Sequence, residues 1–168
     1  SFRGIYATEL TDNGLEIKKK TDGTPVLKKR ICGNRFEGTN IYKRGEYYYL
    51  FASIGTCCNG ATSTYQTVVG RSKNVLGPYL DKTGRDMLYD YCEIIMSGNE
   101  TWAGPGHNSI LIQDDVGTDW IIYHGYKKKE AENGRYVLMD KLIWSNDGWP
   151  SVKSNAPSIL EVAPYFQK

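Results

Sequence analysis

Two stretches of this chain repeat each other, and a repeat of this length admits few folds. The first runs Glu37-Gly38-Thr39-Asn40-Ile41-Tyr42-Lys43-Arg44 and continues with Tyr47-Tyr48-Tyr49-Leu50-Phe51. The second runs Gly106-His107-Asn108-Ser109-Ile110-Leu111-Ile112 and continues with Trp120-Ile121-Ile122-Tyr123-His124. Gly38 aligns with Gly106 and Asn40 with Asn108, both at an offset of 68 residues. Tyr65 aligns with Tyr136 at 71, and Pro78 with Pro150 at 72. A slowly growing offset is what loop insertions produce in a tandem structural repeat. Glu37 and His107 are expected to head the first strand of each unit. In a radial arrangement both would point at one axis.

Apolar residues alternate or run continuously, and no segment carries a sustained 3.6-residue stripe. The pattern predicts strands over 3–9, 25–30, 38–44, 46–53, 63–72, 78–81, 107–114, 118–126, 135–144 and 150–153. Asp12-Asn13-Gly14, Asp22-Gly23, Asn133-Gly134 and Asp147-Gly148 punctuate them as turns. The looser segment 82–104 is expected to hold one short helical turn near 86–91. Each unit then has four strands, and 3–9 with 25–30 match only strands three and four of a further unit. Tandem four-stranded antiparallel units are the pattern of a β-propeller. The fold class expected is therefore all-β, with about two and a half propeller blades. Residues 1–35 form the second half of a blade, 36–104 a complete blade, and 105–168 a complete blade with a C-terminal tail. A ten-stranded β-sandwich is the alternative. Half a propeller leaves apolar faces and strand edges open. The absent N-terminal blades are thus expected as a partner, on an upstream segment or a second chain.

Composition narrows function. The 168 residues carry 21 Lys and Arg against 19 Asp and Glu, a net charge of +2. That balance argues against a nucleic-acid partner, which needs a concentrated basic face. No run approaches the ~20 apolar residues of a membrane span. Thirteen Tyr and four Trp suit strands, and their ring faces also suit stacking on sugars. Four cysteines without a CxxC pair argue against structural zinc. The adjacent Cys57 and Cys58 read first as ordinary buried thiols, with a vicinal disulfide as the alternative.

Several motifs together resemble glycoside hydrolase family 43, most nearly its endo-α-1,5-L-arabinanase branch. They are Phe36-Glu37-Gly38-Thr39-Asn40, Tyr47-Tyr48-Tyr49-Leu50-Phe51, Cys57-Cys58-Asn59-Gly60, Ser63-Thr64-Tyr65 and Val69-Gly70-Arg71-Ser72. Gly104-Pro105-Gly106-His107-Asn108-Ser109, Tyr123-His124 and Asp147-Gly148-Trp149-Pro150 complete the set. The resemblance spans most of 36–150 and resembles the C-terminal half of the family's domain. It implies a five-bladed propeller that hydrolyses arabinan with inversion. An acid protonates the leaving oxygen while a base carboxylate activates water from the opposite face. Glu37 matches the general acid by its Phe-Glu-Gly setting. No Asp here has the setting of the family's base or of its pKa-modulating Asp, so this chain alone is expected to be inactive.

The resemblance also implies one calcium or sodium ion at the propeller centre, near His107 and held largely through water. No organic cofactor is expected. Cys58, Asn59, Ser63, Arg71, Trp102 and His107 are the candidate substrate contacts. Arg71 has a structural reading too, tying strands through carbonyl or carboxylate bonds. His124 reads as a packing residue. Arabinan or a related plant oligosaccharide is the expected partner, and an extracellular or periplasmic location follows. An α-L-arabinofuranosidase, a β-xylosidase and a non-catalytic carbohydrate-binding half-propeller are the alternatives.

Overall fold

The first antiparallel pair is formed by β1 (Ile5–Thr8) and β2 (Lys28–Cys32). The computed structural model describes residues 3–167; Phe2, which opens the alternation of the first expected strand, lies outside them. The strand expected at 25–30 is displaced toward the C-terminus. The Asp22 carboxylate fixes a tight turn by accepting from the Thr24 amide, and Val26 bonds back to Lys18 within the connecting loop.

The next sheet has the order β3 (Glu37–Arg44), β4 (Tyr47–Ile54), β5 (Gln66–Ser72), β6 (Glu93–Met96), all antiparallel. Here the structure corrects the expected fourth strand at 78–81. Leu80 does bridge Arg71, but the chain leaves the sheet at once. The Asp81 carboxylate accepts from the Thr83 and Arg85 amides and turns the chain away. A 3-10 turn at Met87–Tyr89 follows, within the predicted helical region. Met87 is fully buried there, and the chain rejoins the edge of the sheet only at Glu93. A four-residue strand behind such an excursion carries too little periodicity to be read.

The second sheet contains β7 (Trp102–Gly106), β8 (Ile112–Gln113), β9 (Asp119–Lys127) and β10 (Arg135–Lys141). β7 and β8 both pair with β9, which pairs in turn with β10. β11 (Ile143–Trp144) continues the run of β10 and pairs with β12 (Pro150–Ser151) as a separate ladder. The continuous strand expected at 107–114 is therefore wrong. That lane is two short strands, interrupted where His107 adopts a left-handed φ of 52°. His107 follows a strand rather than heading one.

β4 explains how these layers stack. Successive side chains of a strand point to opposite faces. Tyr49 and Phe51 join Val69, Ile121, Tyr123 and Trp149 in a core against the second sheet. Leu50, Ala52 and Ile54 join Val68, Ile31, Cys32 and Met87 in a core against the first hairpin. The middle sheet is thus apolar on both faces, and truncating Phe51 to Ala would cost about 3–5 kcal/mol. Polar ties cross the second interface. Asp119 accepts from Tyr42 Oη at 2.8 Å and Trp144 Nε1 at 2.7 Å. Tyr49 Oη donates to the Gly148 carbonyl at 2.6 Å.

The described residues form an all-β protein of strands and short 3-10 turns, and none of its helices could cross a membrane. No sheet closes on itself among them. Apolar side chains remain exposed on the first hairpin (Tyr6, Ile17, Val26) and on the far side of the second sheet (Val137).

Candidate active site

Glu37 is the first residue of β3 and pairs across the ladder with Ser53 on β4. The Ser53 hydroxyl accepts a 2.7 Å hydrogen bond from the His107 amide. One serine is thus both the ladder partner of Glu37 and the acceptor for the His107 amide. Two repeat-equivalent glycines make room for this. Gly38 has φ of 59°, and a β-carbon there would sit 3.0 Å from the His107 ring. A β-carbon at Gly106 would sit 2.5 Å from Tyr65 Cδ2. Each glycine thus receives a ring carried by the other sheet or its loop. The repeat-equivalent asparagines also meet, for Asn40 Nδ2 donates to the carbonyls of Asn108 at 3.2 Å and Ser109 at 3.1 Å.

Around this junction lie Tyr65, His124 and Arg135. The His107 and His124 rings are 6.1 Å apart and roughly parallel, and Tyr65 meets His124 edge-on at 5.9 Å. The Tyr65 hydroxyl is buried and faces Glu37 and Ser53, short of full hydrogen-bond geometry with either. Burial, followed by the Glu37 charge, pushes the Tyr65 phenol far above its ordinary range. Burial, followed by the charge of Arg135 and the neighbouring His107, holds His124 below the usual imidazole value. Arg135 Nη1 lies 3.4 Å from His124 Nε2. His124 is therefore part of the site as well as of the packing. Tyr65 and His124 are the two members that sequence reasoning missed. For His124 the usable signal was the repeat itself, since His124 on β9 pairs with Gly106 on β7 much as Ser53 on β4 pairs with Glu37 on β3.

The remaining candidates divide between the two ends of the sheets. The loop after β4 leaves at the Glu37 end. Its Ser63 is buried and accepts from the Asn59 amide at 2.9 Å, while Asn59 itself is exposed. Cys57 and Cys58 form a vicinal disulfide, half-buried and exposed respectively, which corrects the reading of buried thiols. Trp102 opens β7, which leads to Gly106, and its indole meets Tyr136 edge-on at 5.8 Å. Arg71 is not brought to this group. It pairs with Tyr49, four residues from Ser53 along β4, or about 13 Å away at ~3.3 Å per residue. Its guanidinium lies over the rings of Tyr47 and Trp149, at 4.5 Å and 4.4 Å, and donates to the Asp147 carbonyl.

A hard cation prefers a shell of oxygen ligands. The described residues contain no group of three His, Cys, Asp or Glu side chains placed to hold a metal. His107 offers a single imidazole, so the side chains present do not by themselves make a calcium or sodium site.

The model of the glycosyl hydrolases family 43 matches residues 1–150. The chain belongs to this family. Among curated proteins it is 45% identical over 118 residues to an extracellular exo-α-(1→5)-L-arabinofuranosidase of Cellvibrio japonicus, covering 70% of this chain and 33% of that protein. It is 41% identical over 120 residues to extracellular endo-α-(1→5)-L-arabinanase 1 of Bacillus subtilis, covering 71% and 35%. The family 43 chain thus spans about a third of the length of these relatives. Its fold is similar to that of the Cellvibrio cellulosa α-L-arabinanase solved with arabinohexaose, with a TM-score of 0.67 at 38% identity, over 83% of this chain and 42% of that one.

Proposed function

We propose that this chain is the acid-bearing part of an extracellular arabinan hydrolase, with its sheets serving as blades of a five-bladed propeller. The half-blade is 1–35, and two complete blades follow, their boundary moved from the expected 104/105 to the start of β7 at Trp102. The observation that carries the reading is the meeting of Glu37 and His107 through Ser53 and Gly38. Residues from successive repeats converge, as subsites around one axis require. The relatives named above act on α-1,5-linked arabinose, which supports arabinan as the substrate class. They include an exo-acting and an endo-acting enzyme, so both modes of cleavage remain within the reading.

In this mechanism the carboxylic acid of Glu37 protonates the leaving glycosidic oxygen. Water attacks from the opposite face of the sugar, activated by a carboxylate that residues 1–168 do not supply, and the anomeric configuration inverts. That base, and the carboxylate that tunes Glu37, belong to the remaining blades. The acid and base carboxyls would stand ~6.5–9.5 Å apart to admit the water. The loop bearing Cys58, Asn59 and Ser63, together with Trp102 and His107, would contact the sugar chain. The reading includes a calcium or sodium ion beside His107, held mainly by water, and assigns it no catalytic step.

The test is Glu37→Gln in the whole protein that carries this chain. Turnover of linear α-1,5-arabinan should fall roughly 10²- to 10⁴-fold, the usual contribution of general acid catalysis, with thermal unfolding unchanged. Undiminished turnover would remove Glu37 from the mechanism. NMR of the first-formed sugar anomer tests inversion.

A further inference from the structure

The Tyr65 side chain is 1% exposed and packs with Ser53 against Gly106, and Ser53 is the ladder partner of Glu37. The Tyr65 hydroxyl faces the Glu37 carboxyl and the Ser53 hydroxyl, short of full hydrogen-bond geometry with either. An unpaired buried hydroxyl is costly, and most native hydroxyls in such a position have a partner. The ring cannot turn away to find one. Gly106 presses on one edge, where a β-carbon would stand 2.5 Å from Cδ2. Gly104 approaches Tyr65 Cβ, where a β-carbon would stand at 3.4 Å. His124 meets the ring from β9. The hydroxyl is therefore held in one place, with a carboxyl as its nearest charged neighbour.

We propose that Tyr65 is a positioning residue for the proton donor: its hydroxyl donates a hydrogen bond to the Glu37 carboxylate as Glu37 gives up its proton. This rests on the reading of Glu37 as general acid. In the step itself the Glu37 O–H bond breaks and its proton passes to the glycosidic oxygen. The bond from that oxygen to the anomeric carbon breaks, and the electron pair stays on oxygen. Tyr65 keeps its own proton throughout. A donor bonds a carboxylate more strongly than a neutral acid, so the contact strengthens as the transition state forms. An interaction of that kind raises the rate of the chemical step rather than the affinity for the ground state. The other titratable or charged groups around Tyr65 and Glu37 are His107, His124 and Arg135. Arg135 is turned toward His124 Nε2, and the His107 amide is committed to Ser53. The Ser53 hydroxyl faces the Tyr65 oxygen as a donor, which leaves the Tyr65 proton for the acid.

The experiment compares two substrates on the whole protein. One is an α-1,5-arabino-oligosaccharide, whose leaving alcohol must be protonated. The other is the same oligosaccharide carrying a 2,4-dinitrophenyl leaving group, which departs without protonation. Tyr65→Phe should lower kcat on the first about 10- to 100-fold and on the second less than about 3-fold, the scale of one lost hydrogen-bond donor acting on developing charge. KM should be nearly unchanged. In a Glu37→Gln background Tyr65→Phe should have no further effect. Equal losses on the two substrates, no loss on either, or a variant that fails to fold would each overturn the proposal. These outcomes are separable from failure of the acid assignment, which shows only as full arabinan turnover by Glu37→Gln.

Discussion

The ring of His107 lies against the α-carbon of Gly38, so near that a single methyl group there would come within 3.0 Å of it. These residues are 69 positions apart and belong to different repeats. Their contact sets the distance between the start of β3, where Glu37 stands, and the turn that carries His107. It also explains why the residue after Glu37 has no side chain.

Gly38→Ala should therefore damage the protein twice. A left-handed φ costs a non-glycine residue about 1–2 kcal/mol, and the new methyl would displace His107. The expected result is a Tm lower by about 3–8 °C, with a larger proportional loss of arabinan turnover than of stability. Differential scanning calorimetry and initial rates on one preparation check it. A variant with normal Tm and rate would show that the contact has no consequence.

Arg71→Lys addresses a residue expected to touch substrate that stands about 13 Å from Ser53 along β4, at ~3.3 Å per residue. Lysine keeps the charge but cannot lie over both Tyr47 and Trp149 while donating to the Asp147 carbonyl. Stability should drop by about 1–2 kcal/mol, as read by urea unfolding, with KM for arabinan unchanged. A raised KM at wild-type stability would return Arg71 to the substrate site.

Acid should loosen the turn that begins at Asp81. Burial favours the protonated form of this carboxyl, but hydrogen bonds from Arg85 and Thr83 outweigh it and hold the group below the ordinary carboxylate range. A carboxyl with a depressed pKa in the folded state binds fewer protons there than when unfolded. Its contribution is thus complete above the unfolded value and is lost as pH falls through the folded one. Stability measured by urea unfolding should decline below about pH 4, and the decline should be shallower in Asp81→Asn. Parallel curves for the two proteins would dissociate Asp81 from acid sensitivity.

The cysteines should fall into two reactivity classes. Burial pushes the Cys32 thiol up to about 12 and the Cys92 thiol up to about 11. Both are therefore protonated and slow to alkylate at pH 8. Without reductant the folded protein should take up almost no iodoacetamide within minutes, and two labels once unfolded. Reduction should expose Cys57 and Cys58 to rapid labelling. Intact mass separates these states, and four labels on unfolded, unreduced protein would exclude the disulfide.

Much of the fold was legible because β-structure writes its burial into alternate positions. Tyr49-Leu50-Phe51-Ala52 is apolar at every position, and each of its faces is covered by a different core. The edge strand Glu93–Met96 was not legible. Its place depends on a turn closed by Asp81 and on Met87 filling space beside Gly70, and neither leaves a local period. The position of Glu37 at the start of a strand was legible from the repeat, whereas the packing of Tyr65 and His124 beside His107 was not. A buried tyrosine and a strand-end histidine look like packing residues until the neighbouring sheet is in position.

Local order fixed the repeat, the strand-forming alternation and the glycines at 38 and 106, because these depend on residues a few positions apart. The company those residues keep was decided in three dimensions. The left-handed turn at His107, the ring of Tyr65 over Gly106 and the bond from His107 to Ser53 all arise where one sheet packs on the next. Convergence of side chains across some 70 residues of chain depends on how two apolar faces fit, and no short window of sequence contains that fit.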